Sequence, residues 1–160
     1  MYEKAKTLKG ENDHVMTSMI WGSLWDETMQ WLIDSGATIS NGTKITYALI
    51  GDDSSSWGNY SNSKFYYIPS GSTTSEETNF IYGDERIPTG SSEYTKVNNI
   101  YDLAGNVWDG TLETNSTNSR FNRGGYYGYD GNSNPAAHRY GNVPSGSGDR
   151  LGLRVLLLIR

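Results

Sequence analysis

Along most of the 160-residue chain, apolar residues come in short runs separated by Ser, Thr, Asn and Gly, and only a few stretches carry a period. Residues 1–8, MYEKAKTL, read as the end of a helix, with Lys4, Lys6 and Lys9 in a last turn closed by Gly10. Cations there suit the carbonyl end of the helix dipole. No capping residue precedes the segment, so its helix is expected to begin upstream. Residues 15–21 form a short apolar run. Ser23 can then cap a second helix, and Asp26 stands three positions later in a capping-box arrangement. Trp21, Leu24, Trp25, Met29, Leu32 and Ile33 follow helical spacing, and Gly36 ends the helix. Trp21, Trp25 and Trp31 are expected in the core, since burying such rings contributes several kcal/mol in total. Residues 36–95 hold only brief apolar pieces, at 45–50 and 65–68, which predict short strands joined by long loops. The terminal run 151–159, LGLRVLLLI, is the most apolar of all and predicts a strand buried on both faces.

Composition narrows the class. The length fits one domain, 1–160, large enough to bury a core. Hydrophobic residues are only 35%, yet the chain has 5 Trp, 12 Tyr and 3 Phe beside 19 Gly, a mix that favours a loop-rich domain with a small aromatic core over a helical bundle or disorder. The net charge of −5 opposes nucleic-acid binding and adhesion to an anionic membrane. No cysteine is present, which removes disulfides, thiolate metal sites and cysteine nucleophiles. No stretch reaches about 18 apolar residues, so no membrane insertion is expected, and the N-terminus lacks the apolar core of a signal peptide.

Residues 99–113, NIYDLAGNVWDGTLE, are followed by Arg123-Gly124-Gly125 and then by Leu151-Gly152-Leu153-Arg154-Val155. In order and spacing these blocks resemble the G-N-x-W-E-W-T, R-G-G-S-W/Y and G-F-R motifs of the formylglycine-generating-enzyme (sulfatase-modifying-factor) domain family. The helix opening Leu24-Trp25-Asp26-Glu27 is similar to that family's L-P-T-E-x-E-W-E segment. The resemblance covers roughly Trp21 to the end. It implies an α+β C-type-lectin fold of the formylglycine-generating type, loop-rich, with few short strands and two helices. In that family a strand precedes the first helix. The chain is therefore expected to be cut from a larger protein or to lack that strand, in which case the terminal strand would show an unpaired edge.

The resemblance also implies a calcium site. The family motif N-x-x-G-x-A-x-E matches Asp102, Gly105, Val107 and Asp109, with side-chain oxygens from the ends and carbonyls from the middle, oxygen donors of the kind calcium takes. Asp109 is one methylene shorter than the family's Glu, and Gly110 stands where Trp is usual. Read as residues alone, the same stretch is a turn with Asp102 on backbone amides and both acids facing water. No cofactor is required, and a structural Ca2+ is the one ion implied. The family's copper-binding cysteine pair is absent after Arg123-Gly124-Gly125. The histidine iron site of its sulfoxide-synthase relatives has no counterpart either, since only His14 and His138 exist. There is no Gly-x-Ser-x-Gly, P-loop or dinucleotide fingerprint. Asp52 and Asp53 read as a solvated loop, and the Asp130-Gly131-Asn132 start of an apparent EF-hand fails at Pro135 and Gly141.

The remaining signal lies in residues 124–149, where Tyr alternates with Gly, Asn, Ser and Asp. Antibody loops use these residues because Tyr offers a rigid face at low entropic cost and the small polar residues adapt their hydrogen bonds. On composition alone, the alternative is a glycine-rich loop with its tyrosines in the core. Variable proteins of diversity-generating retroelements share this scaffold and end on the same G-x-R strand. Adenine-directed mutagenesis of their template reaches Asn, Asp, Ser, Gly, Tyr, His and Arg. Tyr126, Tyr127, Tyr129, Asp130, Asn132, Asn134, His138, Tyr140, Asn142, Ser145, Ser147 and Asp149 belong to that set, with Gly110 as an earlier member, between scaffold residues Arg123, Gly124, Gly125, Pro135, Arg139, Arg150 and Arg154. The resemblance thus implies a non-catalytic receptor-recognition domain on a phage tail or cell surface. It would bind a protein or glycan of a target cell, as a monomer or an oligomer. The rivals are a divergent enzyme of the formylglycine-generating type and a prophage structural protein of fixed sequence.

Overall fold

The computed structural model describes residues 1–8 and 14–159. Helix α1 (Tyr2–Thr7) has Met1 at its cap position with no side-chain bond; the expected closure by Lys9 and Gly10 lies outside the described residues. Strand β1 (Val15–Met19) follows, then α2 (Gly22–Asp34), the longest helix described. The expected Ser23 capping box is not formed. The cap position is Trp21, with no side-chain bond, so Ser23 falls inside the first turn and the Asp26 carboxylate is directed elsewhere. Gly36 does end the helix, at φ +67°, with its amide on the Ile33 carbonyl and the Ala37 amide on that of Leu32.

Of the three tryptophans in this stretch only Trp25 is core; Trp21 and Trp31 are 43% and 48% exposed. The buried stripe of α2 is Trp25, Met29 and Leu32, one face of a 3.6-residue period, and Trp31 points away from it. These side chains pack with Ile39, Ile45, Ile50, Trp57, Tyr60, Val97, Leu103 and Ala136. The polar edges of the core rings are satisfied. Trp25 Nε1 donates to the Ala136 carbonyl at 3.1 Å, Trp57 Nε1 to Leu49 at 2.9 Å, and the Tyr60 hydroxyl to Gly124 at 2.8 Å.

The region 36–95 is loop-rich, but residues 45–50 do not form a strand. Tyr47–Gly51 is a helical turn, α3, whose Thr46 hydroxyl accepts from the Leu49 amide. A local cap outweighs the strand tendency of Ile and Tyr there. The piece at 65–68 does hold a strand, β2 (Phe65–Tyr67), paired antiparallel with β3 (Asn79–Ile81). A 3-10 turn (Glu93–Thr95) then leads to the small hairpin β4 (Lys96–Val97) and β5 (Ile100–Tyr101).

The larger sheet described has the order β8-β7-β6-β9, from β6 (Trp108–Ser116), β7 (Ser119–Arg123), β8 (Arg139–Asn142) and β9 (Leu151–Leu153). β9 runs parallel to β6 and the others are antiparallel. The apolar terminal run is not one doubly buried strand. It divides at Arg154 into β9 and β10 (Val155–Ile159), and β10 pairs antiparallel with β1 in a separate two-stranded sheet. Alternate residues of β10, namely Val155, Leu157 and Ile159, are exposed, while β1 covers one of its edges. The division follows from contacts distant in the chain. Arg154 turns into the molecule, its Nε on Asp109 Oδ2 at 2.7 Å and its Nη2 on the carbonyls of Tyr101 and Asp102. The result is an α+β fold with a curled sheet, consistent with a C-type-lectin-like architecture. The described residues form three α-helices and ten mostly short strands, rather than the two helices and few strands expected, because the loops of 36–101 pair into small hairpins and a capped turn. No described helix is long and apolar enough to cross a membrane.

Candidate ligand-binding site

Strand alternation gives the larger sheet two chemically different faces. Asp109, Arg123 and Arg139 are in register across β6, β7 and β8, and their side chains share the face toward α2. There Arg123, fully buried, pairs with Asp26 and, at 3.1 Å, with Glu113. Arg139 pairs with Asp26 and, at 2.8 Å, with Glu113. Burial lowers the Arg123 pKa and the carboxylates counter it, so the guanidinium is held by its partners. This is the task that Asp26 performs in place of capping.

Trp108, Gly110, Asn122 and Tyr140 share the opposite face. Trp108 is buried and forms its floor. Tyr140 stacks on it with centroids 5.3 Å apart and planes 20° off parallel, while His138 lies at 5.8 Å and Tyr126 at 6.2 Å. Tyr127 and Tyr129 meet Tyr126 edge-to-face at 5.3 and 4.8 Å. The loop 143–150 crosses beside these rings and is fastened where Trp108 N donates to the Arg150 carbonyl at 2.8 Å. The open pocket between them is about 310 Å³ and includes Tyr129, Asn142, Ser147, Asp149 and Arg150 in its wall. Tyr129 and Tyr140 remain 45% and 47% exposed. Burial and the nearby Arg123 charge push the His138 imidazole below its ordinary value, so it is neutral at pH 7.

The structure brings together only part of the residue set predicted from the sequence. Tyr126 is buried, a ring packed under the exposed tyrosines. Asn134 is buried as well, because the segment 130–137 is drawn onto the core: Ser54 N donates to Gly131, Ala137 N to Ile50, and Ala136 N to Ser54 Oγ. Asp130 accepts from the Ser61 hydroxyl, and Asn132 is exposed. Gly110 opens into a neighbouring, mainly apolar cavity of about 300 Å³ with Met19, Leu112, Val143 and Leu151. Ser145 lies in a third hollow beside Met1. Trp108 and Arg150 were not singled out as site residues. The G-N-V-W block marks Trp108 as a motif residue, but its partner Tyr140 is 32 positions away in the chain.

The stretch 98–109 depends on left-handed backbone. Asn98, Asn99, Asp102 and Asn106 have φ between 47° and 63°, and Asn and Asp tolerate that region better than other side chains. Gly105, at φ +70°, has no alternative, since a Cβ would lie 2.1 Å from the Asn59 carbonyl oxygen. Thr89, Asp102, Val107, Asp109 and Arg154 border a small cavity of about 160 Å³. Asp109 is taken by Arg154, whereas both side-chain oxygens of Asp102 are buried without a well-formed hydrogen bond. Burial raises the Asp102 carboxyl above the usual range, and nearby Thr95, Arg154, Gly90 and Thr89 only partly offset it. Burial raises Asp109 too, against the pull of Arg154. Among the described residues no three His, Asp or Glu side chains converge as a metal cluster.

Fold and site together define a loop-rich α+β domain that presents an open aromatic pocket on the outer face of its larger sheet. Among solved structures the chain is similar to Treponema denticola variable protein 1, at 16% identity and a TM-score of 0.50, over 91% of this chain and 48% of that one. At that identity the likeness is one of fold, and the chain spans about half the length of that protein. No family model and no curated protein matches the sequence.

Proposed function

We propose that the chain is a non-catalytic ligand-binding domain, the variable protein of a diversity-generating retroelement, built on the formylglycine-generating branch of the C-type-lectin fold. The observation that carries it is the open pocket around Trp108, with half-exposed Tyr129 and Tyr140 and a rim of Asn142, Ser147 and Asp149. Rigid rings with adaptable small polar neighbours are the pattern of a recognition surface. The fold likeness to a protein named as variable supports the same reading. Gly110, Tyr127, Asp130, Asn132, His138 and Ser145 would extend the variable surface, while Tyr126 and Asn134 would act from beneath it. The ligand would be a protein or glycan on a target cell, the setting a phage tail or cell surface, and self-association would add avidity.

A structural calcium is part of the proposal. The donors match it in type: Asp102 offers two buried oxygens without good partners, and Asp109 and the carbonyls of Gly105 and Val107 are the other oxygens of the motif. Arg154 competes for Asp109. The ion would neutralise Asp102 and hold the turn that leads into Trp108.

The functional test is substitution at the exposed rings. Tyr129→Ala and Tyr140→Ala should each weaken binding to target-cell surface material about tenfold or more, as aromatic anchors do, with the melting temperature nearly unchanged. Loss of the fold in both would instead make the rings structural.

A further inference from the structure

One feature of the pocket is unused by a surface of tyrosines and small polar residues: a positive charge held in place. Arg150 Cζ lies 5.2 Å from the Tyr126 ring centroid, and its Nη1 donates to the Tyr126 hydroxyl at 3.3 Å. Its carboxylate neighbour Asp149 is 4.0 Å away, and the two side chains are 60% and 70% exposed. Such a pair contributes little in water. Arg86 donates to the Asp149 carbonyl at 3.2 Å, bringing a second guanidinium to the same rim. By contrast, Arg123, Arg139 and Arg154 each hold a carboxylate within 3.1 Å. Arg150 is therefore oriented by an aromatic ring and still has its fork available, on a chain of net charge −5.

We propose that this pocket takes a carboxylated sugar, a pyranose of the uronic-acid type; the proposal rests on the pocket being the ligand site. A guanidinium fork matches a carboxylate in geometry as well as charge. The pyranose ring has a C–H face that can lie on Tyr140, which is backed by Trp108 and half exposed. Its hydroxyls would meet Asn142 and Ser147. A cavity of about 310 Å³ accommodates one such ring. An acidic peptide side chain would use Arg150 and leave the aromatic wall bare, and a neutral sugar would use the wall and leave the guanidinium unmatched. Tryptophan is outside the residue set that adenine-directed mutagenesis reaches, and Arg150 stands among the residues read as scaffold. The guanidinium that takes the acid would then be common to every variant, with Tyr129, Tyr140, Asn142, Ser147 and Asp149 selecting among sugars that carry it.

The test is NMR titration of the full chain with methyl β-D-glucuronide, methyl β-D-glucoside and a glutamate-containing tripeptide, read at the Trp108 indole resonance. The glucuronide should bind at least about tenfold more tightly than the other two, the advantage of a charge-assisted bidentate contact added to ring stacking. Arg150→Gln should abolish the preference over the glucoside with the melting temperature retained. Asp149→Asn, which removes a like charge, should tighten glucuronide binding severalfold. Equal affinity for the two glycosides would overturn the acid requirement, and a tripeptide that binds as well as the glucuronide would overturn the sugar. If no probe moves the indole while folded Tyr140→Ala still loses binding to target-cell material, the pocket remains the ligand site and the uronic-acid proposal fails.

Discussion

Tyr126, Tyr129 and Tyr140 belong to one run of similar residues, yet they have different tasks. Tyr126 lies under its neighbours and backs Arg150, so Tyr126→Ala should destabilise the fold by about 3 kcal/mol, in the range of buried aromatic truncations. Tyr129 and Tyr140 are half exposed, so their alanine variants should fall near the roughly 0.5 kcal/mol scatter of surface changes. Chemical denaturation of the three variants separates these outcomes. Asp102 offers a sharper test. Its buried carboxylate lacks good partners, and an uncompensated buried charge costs stability. In EDTA, Asp102→Asn should raise stability by about 1–3 kcal/mol, the desolvation penalty of such a group. Millimolar calcium should raise the melting temperature of the parent chain and leave that of Asp102→Asn unmoved. A parent chain indifferent to calcium would leave Arg154 as the cation that this motif uses. His138 gives a pH prediction. Its pKa is depressed in the fold by burial and by Arg123, so the unfolded chain binds the proton more readily. Stability from this group is present above the ordinary imidazole value of about 6.5 and is lost as pH falls through the depressed one. Comparison with His138→Asn from pH 7.5 to 5 should show this extra slope only in the parent chain.

At the scale of elements, the larger sheet is held on α2 by an ionic lattice rather than by apolar side chains alone. Asp26 on the helix and Glu113 on β6 each take both Arg123 and Arg139. Arg123 is fully buried, but Asp26 and Glu113 are 45% and 24% exposed and keep Arg139, so Arg123→Ala should cost about 1–3 kcal/mol, the loss of charge-assisted hydrogen bonds. Arg123→Lys should recover only part of that, because a lysine cannot serve two carboxylates with a planar fork. Equilibrium unfolding of both variants measures the difference. The parts legible in the sequence were those governed by local chemistry. The stripe of Trp25, Met29 and Leu32 follows from helical spacing, and the end of α2 from the left-handed glycine at 36. What escaped depends on pairing across long separations. Asp26 read as a cap because its partners lie 97 and 113 positions ahead. The terminal run read as one strand because nothing local shows that Arg154 turns inward to Asp109. Half of the site was legible in the same sense: the Tyr/Asn/Ser vocabulary was visible, but the ring beneath it, Trp108, and the withdrawal of Asn134 into the core became visible only with the fold.

On the scale of the whole molecule, one face of the sheet is spent on stability and the other is left open. The framework holds Trp108 and Arg150 in place, and the loops 126–129 and 138–149 surround them with residues that could change without disturbing the α2 side. If the chain is a retroelement variable protein, copies of its gene from many isolates should differ at Tyr129, Tyr140, Asn142, Ser147 and Asp149. Asp26, Trp108, Glu113 and Arg123 should stay constant. Uniform sequences at all of these positions would favour a prophage structural role of fixed sequence. The most direct measurement of the central claim is equilibrium binding of the labelled chain to an array of bacterial surface glycans and proteins, in parallel with a folded Tyr129→Ala/Tyr140→Ala double variant. Saturable binding to at least one surface molecule that the double variant loses is the predicted result. Binding that persists undiminished in the double variant would contradict the pocket as the place where this protein grips its ligand.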